Sequence, residues 1–196
     1  RFVAGTPARI AVPVADVLKA ARPDSGINTQ FLLGDDVLVF DKAGGFAWVQ
    51  AERDGYVGYV RESDLAGRDG QPTHVVSVPR TFLYPGPDLR FPMVGQLSMG
   101  SAVTVTGAAE TRGTQYAVLA NGQAVIAKHL LPVADRAADY VAVAETFLGT
   151  PYLWGGVSGL GIDCSGLVQL SMRMAGRDVL RDSDMQAAGL GAPIDP

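Results

Sequence analysis

The chain has 196 residues, 47% of them hydrophobic and 18% charged, with 24 glycines and 12 prolines. That is enough for one large or two to three small domains with a sizeable core, built on many turns and short strands. A formal charge of -4 without any Lys/Arg run excludes a nucleic-acid or anionic-lipid surface. The single cysteine excludes an intrachain disulfide and has no zinc-type spacing with His74 or His129, so no metal or cofactor is implied, and no apolar run approaches the roughly 18 residues of a membrane span.

The first two thirds of the chain match themselves at an offset of 66 residues: Val12-Pro13 with Val78-Pro79, Gln30 with Gln96, Gly34 with Gly100, Val37 and Val39 with Val103 and Val105, and Leu65 with Leu131. Ile10 with Val76, and Tyr59-Val60 with Val125-Ile126, extend the register conservatively. Within each copy apolar residues alternate, as in half-buried strands, and Asp41 to Gly45, Arg53 to Gly55 and Asn121-Gly122 supply the turns. Each copy is therefore expected to be a small barrel of short strands. Trp48, Tyr56, Tyr59 and Tyr116 are expected chiefly in the barrel cores, with a groove wall as the alternative. Boundaries fall near residues 72 and 135.

From Asp135 the period becomes helical, with Tyr140, Val141, Ala144, Phe147 and Leu148 on one face, Asp135 available as N-cap, and Gly149 and Pro151 as stop signals. A glycine-rich loop, Thr150-Pro151-Tyr152-Leu153-Trp154-Gly155-Gly156, leads to Gly161-Ile162-Asp163-Cys164-Ser165-Gly166 and a second helix of about ten residues. Leu167, Leu170 and Met174 form its apolar side and Gly176 closes it. Cys164 thus falls in a first helical turn, where unpaired N–H groups and the helix dipole favour a thiolate and can hold a developing oxyanion. Taken alone, a lone cysteine reads first as a small buried hydrophobe.

The paired motifs reverse that reading. Thr-Pro-Tyr-Leu-Trp-Gly-Gly followed by Asp-Cys-Ser-Gly at a helix start resembles the NlpC-type cell-wall peptidases, a papain-like family of bacterial cysteine peptidases, over residues 136 to about 190. The pattern Gly-Asp-Asp-Val-Leu-Val, Trp48-Val49 and Gly55 to Val60 resembles the bacterial SH3-like domains that accompany such enzymes. The resemblance implies two tandem SH3-like barrels, residues 1–72 and 73–135, making a mainly β N-terminal part. Residues 136–196 would follow as the helical N-terminal half of an α+β papain-like domain.

It further implies that Cys164 attacks an amide in the stem peptide of peptidoglycan, usually the γ-D-glutamyl-diamino acid bond, with Tyr152 beside the oxyanion. Asp163 is expected to bind the free amino group of an N-terminal L-alanine, a role compatible with capping the helix. Ser165 reads equally as site residue and as first-turn residue. Asp182 and Ser183 resemble a segment beside the substrate, although Ser183-Asp184-Met185-Gln186 also fits a capping box. Tyr56 or Glu52 is expected to wall the far end of the cleft.

A papain-like site needs a histidine after the cysteine and a polar residue to orient it; no histidine follows Cys164 in this sequence. His74 and His129 lie in the barrel copies, against the order of the family. The expectation is a fragment of a longer polypeptide, inactive as it stands and exposing an apolar face where a sheet should pack. The rival classes are a binding module for cell-wall peptide and a papain-like amidase or acyltransferase. Both a cytoplasmic role in recycling wall fragments and a place in the envelope are compatible with the sequence, which assigns no oligomeric state.

Overall fold

The computed structural model describes residues 4–192. The alternating apolar positions of the first copy form β1 (Thr6–Ile10), β2 (Val14–Leu18), β3 (Ile27–Leu32), β4 (Asp36–Ala43), β5 (Phe46–Ala51), β6 (Val57–Arg61) and β7 (Leu65–Ala66). They make one sheet in the order β3-β2-β6-β5-β4-β1-β7. Its inward face buries Ile10, Val17, Phe31, Val37, Val49 and Val60, the outcome that period-two patterning dictates.

The same pairings recur in β8 (His74–Val76), β9 (Arg80–Leu83), β10 (Gly95–Ser98), β11 (Ala102–Val103), β12 (Val105–Thr111), β13 (Thr114–Leu119), β14 (Ala124–Ile126) and β15 (Leu130–Pro132). β1 pairs with β4 and β7 as β8 pairs with β11 and β15. The β2·β3 pair is repeated by β9·β10, and the β4·β5·β6 meander by β12·β13·β14. A bridge between Tyr84 and Ala124 stands where β2 meets β6. The turn glycines follow suit: Gly34 and Gly100 share a φ of 87°, and their N–H groups donate to the carbonyls of Ile10 and Val76, each at 2.9 Å. Only glycine adopts that backbone at little cost.

Of the four aromatics weighed for the cores, only Tyr116 is fully buried. Its hydroxyl accepts from the Leu89 N–H at 2.9 Å, as a buried phenol requires. Trp48 and Tyr59 lie half-buried against each other, ring centres 4.7 Å apart, and Tyr56 is half-buried elsewhere.

The helical part comprises α1 (Tyr140–Glu145), a short hairpin of β16 (Val157–Ser158) and β17 (Gly161–Ile162), α2 (Cys164–Met174) and α3 (Ser183–Gly189). The first helix departs from expectation. It starts at Tyr140, and Asp139, not Asp135, caps it by accepting from the Val141 N–H at 2.8 Å. The Ala137 N–H donates instead to the Met174 carbonyl, which ties the preceding segment to the end of α2 and keeps it out of helical geometry. The buried face is accordingly Val143 with Phe147, while Val141 is exposed and Leu148 is 85% exposed. Val168, Leu180, Met185 and Leu190 are also at the surface.

Val143, Phe147, Ile162, Leu170 and Met174 enclose Met99 of the second β copy. Asp35 of the first copy accepts from Arg173 of α2 at 2.8 Å and from Arg53 at 3.0 Å. Burial alone would raise the Asp35 pKa, but the two guanidinium groups and the Leu32 N–H together hold it below the usual carboxylate value. The N-terminal turn of α2 lies on the glycine-rich loop: a Cβ added to Gly166 would stand 2.4 Å from the Gly156 carbonyl oxygen. The glycine two residues after Cys164 therefore sets how closely the helix approaches the loop.

Two outcomes follow for stability. Asp35→Ala leaves half-buried Arg173 and Arg53 without their shared buried carboxylate and should lower unfolding free energy by about 3 kcal/mol in urea titration. Because the Asp35 pKa is lowered in the folded state, its contribution is present above the unfolded value near 3.8 and is lost as pH falls through the folded one. Gly166→Ala should likewise lower the melting temperature, by an amount that Ala substitution at the open Gly189 does not reproduce.

Candidate active site

Cys164 is the first residue of α2 and is exposed. The residue before it makes this placement possible. Asp163 has extended backbone, φ -98° and ψ 176°, and its side chain accepts from the Gly166 N–H at 2.7 Å and the Gly155 N–H at 3.0 Å. One carboxylate thus joins the first turn of the helix to the glycine-rich loop, leaving the Cys164 thiol pointing to solvent above both. Gly155 itself has φ 73°, which a residue with a Cβ adopts only under strain.

The Asp163 carboxylate is buried and has a buried counter-ion. Arg181 Nη2 stands 2.7 Å from Oδ2 and Nη1 3.1 Å from Oδ1, a bidentate pair. Arg181 Nη1 also donates to the Ser165 hydroxyl at 2.7 Å, and Nε donates to the Thr29 hydroxyl of β3 at 2.6 Å. Burial pushes the Asp163 pKa up, yet Arg181 and the two backbone N–H groups more than offset this and hold it below its ordinary value.

This geometry gives two of the sequence-derived candidates a structural role. Asp163, expected to serve both as helix cap and as acceptor for a substrate ammonium, caps the helix and accepts from Arg181 and two backbone donors. Ser165 is buried and its hydroxyl lies between Arg181 and Asp163, so it faces the helix start and not the solvent.

Tyr152 is 65% exposed on the loop, and its backbone forms a parallel bridge with Ile162, two residues before Cys164. Tyr56 comes to the same end of the molecule from the first β copy: its hydroxyl donates to the Asp182 carboxylate, 3.1 Å from Oδ2. Burial and the adjacent Asp182 charge push the Tyr56 pKa up to about 12. Asp182, unlike Asp163, has no cationic partner among the described residues. Glu52, the other candidate for the cleft wall, is paired instead with Arg68 at 2.9 Å.

Ser183 is exposed at the first position of α3. The capping box does not form. Gln186 turns away from the helix start and donates to the carbonyls of Leu180 at 2.8 Å and Ser165 at 3.0 Å, pinning the 180–182 segment to α2. Thr29, Gln186 and the pairing role of Arg181 were not foreseen; Thr29 lies 152 residues from Arg181, and no local pattern marks it. His129 Nδ1 lies 2.9 Å from the Thr81 hydroxyl and His74 Nδ1 2.8 Å from that of Thr73. Both histidines are thereby tied to the second β copy. No cluster of metal-ligating side chains occurs among the described residues, and no helix among them is long and apolar enough to cross a membrane.

Comparison with known proteins agrees with this geometry. Residues 17–65 match the bacterial dipeptidyl-peptidase SH3 domain, and residues 149–195 match the NlpC/P60 family. A gamma-D-glutamyl-L-lysine dipeptidyl-peptidase of Bacillus subtilis is 30% identical over 189 residues, 88% of this chain and 62% of that protein. Its counterpart from Bacillus cereus is 29% identical over 190 residues, 86% of this chain and 56% of that protein. The chain thus spans less than two thirds of the length of these relatives. The crystal structure of an NlpC/P60 family protein from Bacillus cereus superposes with a TM-score of 0.77 at 24% identity, covering 97% of this chain and 79% of that one. Residues 149–195, with an exposed cysteine on a capped helix start, are thereby identified as an NlpC/P60 peptidase segment, and residues 17–65 as a bacterial SH3-like domain.

Proposed function

We propose that this chain carries the nucleophile and the substrate-binding wall of a cysteine endopeptidase that hydrolyses peptidoglycan stem peptides at the γ-D-glutamyl-diamino acid bond. The observation that supports it most is the exposed Cys164 at the first position of an 11-residue helix, capped by a carboxylate whose charge Arg181 neutralises. The names of the two Bacillus dipeptidyl-peptidases support the choice of bond. Residues 73–135 are, in the same reading, a second SH3-like domain, supported by the strand pairings repeated at the 66-residue offset.

The Cys164 thiolate attacks the γ-carbonyl carbon of D-glutamate, forming a C–S bond as the carbonyl π electrons move to oxygen. The oxyanion is met by the Cys164 N–H and the Tyr152 hydroxyl. Collapse expels the amine of the diamino acid, which takes up the proton first removed from the thiol; water then cleaves the thioester, regenerating the thiol and releasing the γ-carboxylate. The step needs a proton carrier, a part that His74 and His129, tied to Thr73 and Thr81 of the second β copy, are not assigned. The ammonium of a stem peptide beginning with L-alanine is assigned to Asp182, whose charge is uncompensated, with Tyr56 fixing the carboxylate. Ser183 lines the same end. Dependence on that ammonium favours free wall fragments as substrates.

Three outcomes test this. In the complete polypeptide, Cys164→Ala should abolish release of the diamino acid from L-Ala-γ-D-Glu-diamino acid, followed by chromatography, with folding unchanged. Tyr152→Phe should lower kcat by about 100-fold, the usual effect of losing one oxyanion donor. Asp182→Asn should raise KM for the free peptide, and N-acetylation of the substrate should reproduce that loss in the wild type. Turnover by Cys164→Ala sinks the nucleophile assignment. As for pH, the lowered Asp163 pKa keeps the helix cap ionised well into the acid range. The cap stabilises the fold above the unfolded carboxylate value near 3.8 and is lost only as pH falls through the folded one; Asp163→Asn should therefore flatten the acid limb of the unfolding curve.

A further inference from the structure

The buried guanidinium of Arg181 makes four hydrogen bonds from its three nitrogens, and one of its partners comes from outside the peptidase segment. Nε donates to Thr29 at 2.6 Å, Nη1 to Ser165 and Asp163, and Nη2 to Asp163. Thr29 is 1% exposed and sits on β3, the strand at the end of the first sheet. Beside it Gln30 accepts the Val157 N–H of the hairpin that leads to Cys164, at 3.3 Å. Chain geometry links the other direction: Asp182, one residue beyond Arg181, faces Tyr56 of the same β copy.

We propose that Arg181 and Thr29 are positioning residues for the nucleophile: Thr29 orients the guanidinium, which orients Asp163, which fixes the first turn of α2 and hence the Cys164 thiol. The SH3-like domain then acts on the chemistry itself and not only on the cleft wall. The role is specific to a planar fork of donors, because a lysine ammonium cannot serve Thr29, Ser165 and both Asp163 oxygens from one point. It is also specific to a hydroxyl at position 29, because a methyl in its place leaves a buried N–H without an acceptor. The inference rests on the peptidase reading for its catalytic consequence, but the placement of the thiol is measurable without turnover.

Cys164 is the only cysteine, so its alkylation by iodoacetamide reports one site. In Thr29→Val the alkylation rate at neutral pH should fall by about two- to five-fold, the size of a helix-terminus effect, and the pH of half-maximal alkylation should rise. Thr29→Ser, which keeps the hydroxyl, should restore the wild-type profile, and Arg181→Lys should not. In the complete polypeptide Thr29→Val should lower kcat by about ten-fold or more while KM stays within about two-fold. A Thr29→Val protein that melts lower but alkylates with the wild-type pH profile would overturn the proposal, since Thr29 would then only brace the fold. So would Thr29→Ser with an altered profile, which also decides the matter should Thr29→Val fold poorly. Absence of any wild-type peptidase activity would instead overturn the reading on which the catalytic consequence rests, leaving the alkylation series to judge the positioning.

Discussion

The buried ion pair between Asp163 and Arg181 is the interaction on which the rest of the site depends. A carboxylate in that position without its guanidinium would be an uncompensated buried charge, and a helix start without the carboxylate would lose the bonds that hold it to the glycine-rich loop. The pair satisfies both demands at once. It leaves Cys164, the next residue, on the solvent side of a fixed helix end, and it accounts for a hydroxyl at Ser165 and a glycine at Gly166. Each residue of the Asp-Cys-Ser-Gly motif thus has a separate place: cap, exposed thiol, partner of the guanidinium, and clearance beneath the loop carbonyl.

The arrangement also divides the two acidic residues near the site by their compensation. Asp163 is paired with Arg181, whereas Asp182 accepts from the Tyr56 phenol and has no cationic partner among the described residues. The two β copies contribute unequally. The first reaches the site through Thr29, Gln30, Tyr56 and the Asp35 pair with Arg173, while the second supports the helices from below through Met99 and Val75.

Much of this was legible in the sequence, and the division follows the range of the interactions. The strand periodicity, the 66-residue register, the loop and the second helix are local signals, and the structure carries all of them at the expected positions. The first helix was misplaced by several residues because its start is set by a contact with the end of α2, which no pattern between Asp135 and Tyr140 reveals. The Ser-x-x-Gln sequence at Ser183 suggested a capping box, but Gln186 is recruited by three carbonyls of the 165 and 180–181 segments, so tertiary contacts override the local motif. Asp163 was read as a helix cap and as an acid for a substrate ammonium. Its counter-ion lies 18 residues away and the residue orienting that counter-ion lies in another sheet, so the sequence could show the acid but not its neutralisation.

The account stands or falls on covalent chemistry at Cys164. The most direct measurement is mass spectrometry of the complete polypeptide, acid-quenched during turnover of L-Ala-γ-D-Glu-diamino acid. The account predicts an L-Ala-D-Glu acyl adduct on the peptide containing Cys164, formed in step with free diamino acid. Release of the diamino acid with no adduct at Cys164 under conditions that preserve a thioester, together with undiminished release by Cys164→Ala, would contradict it.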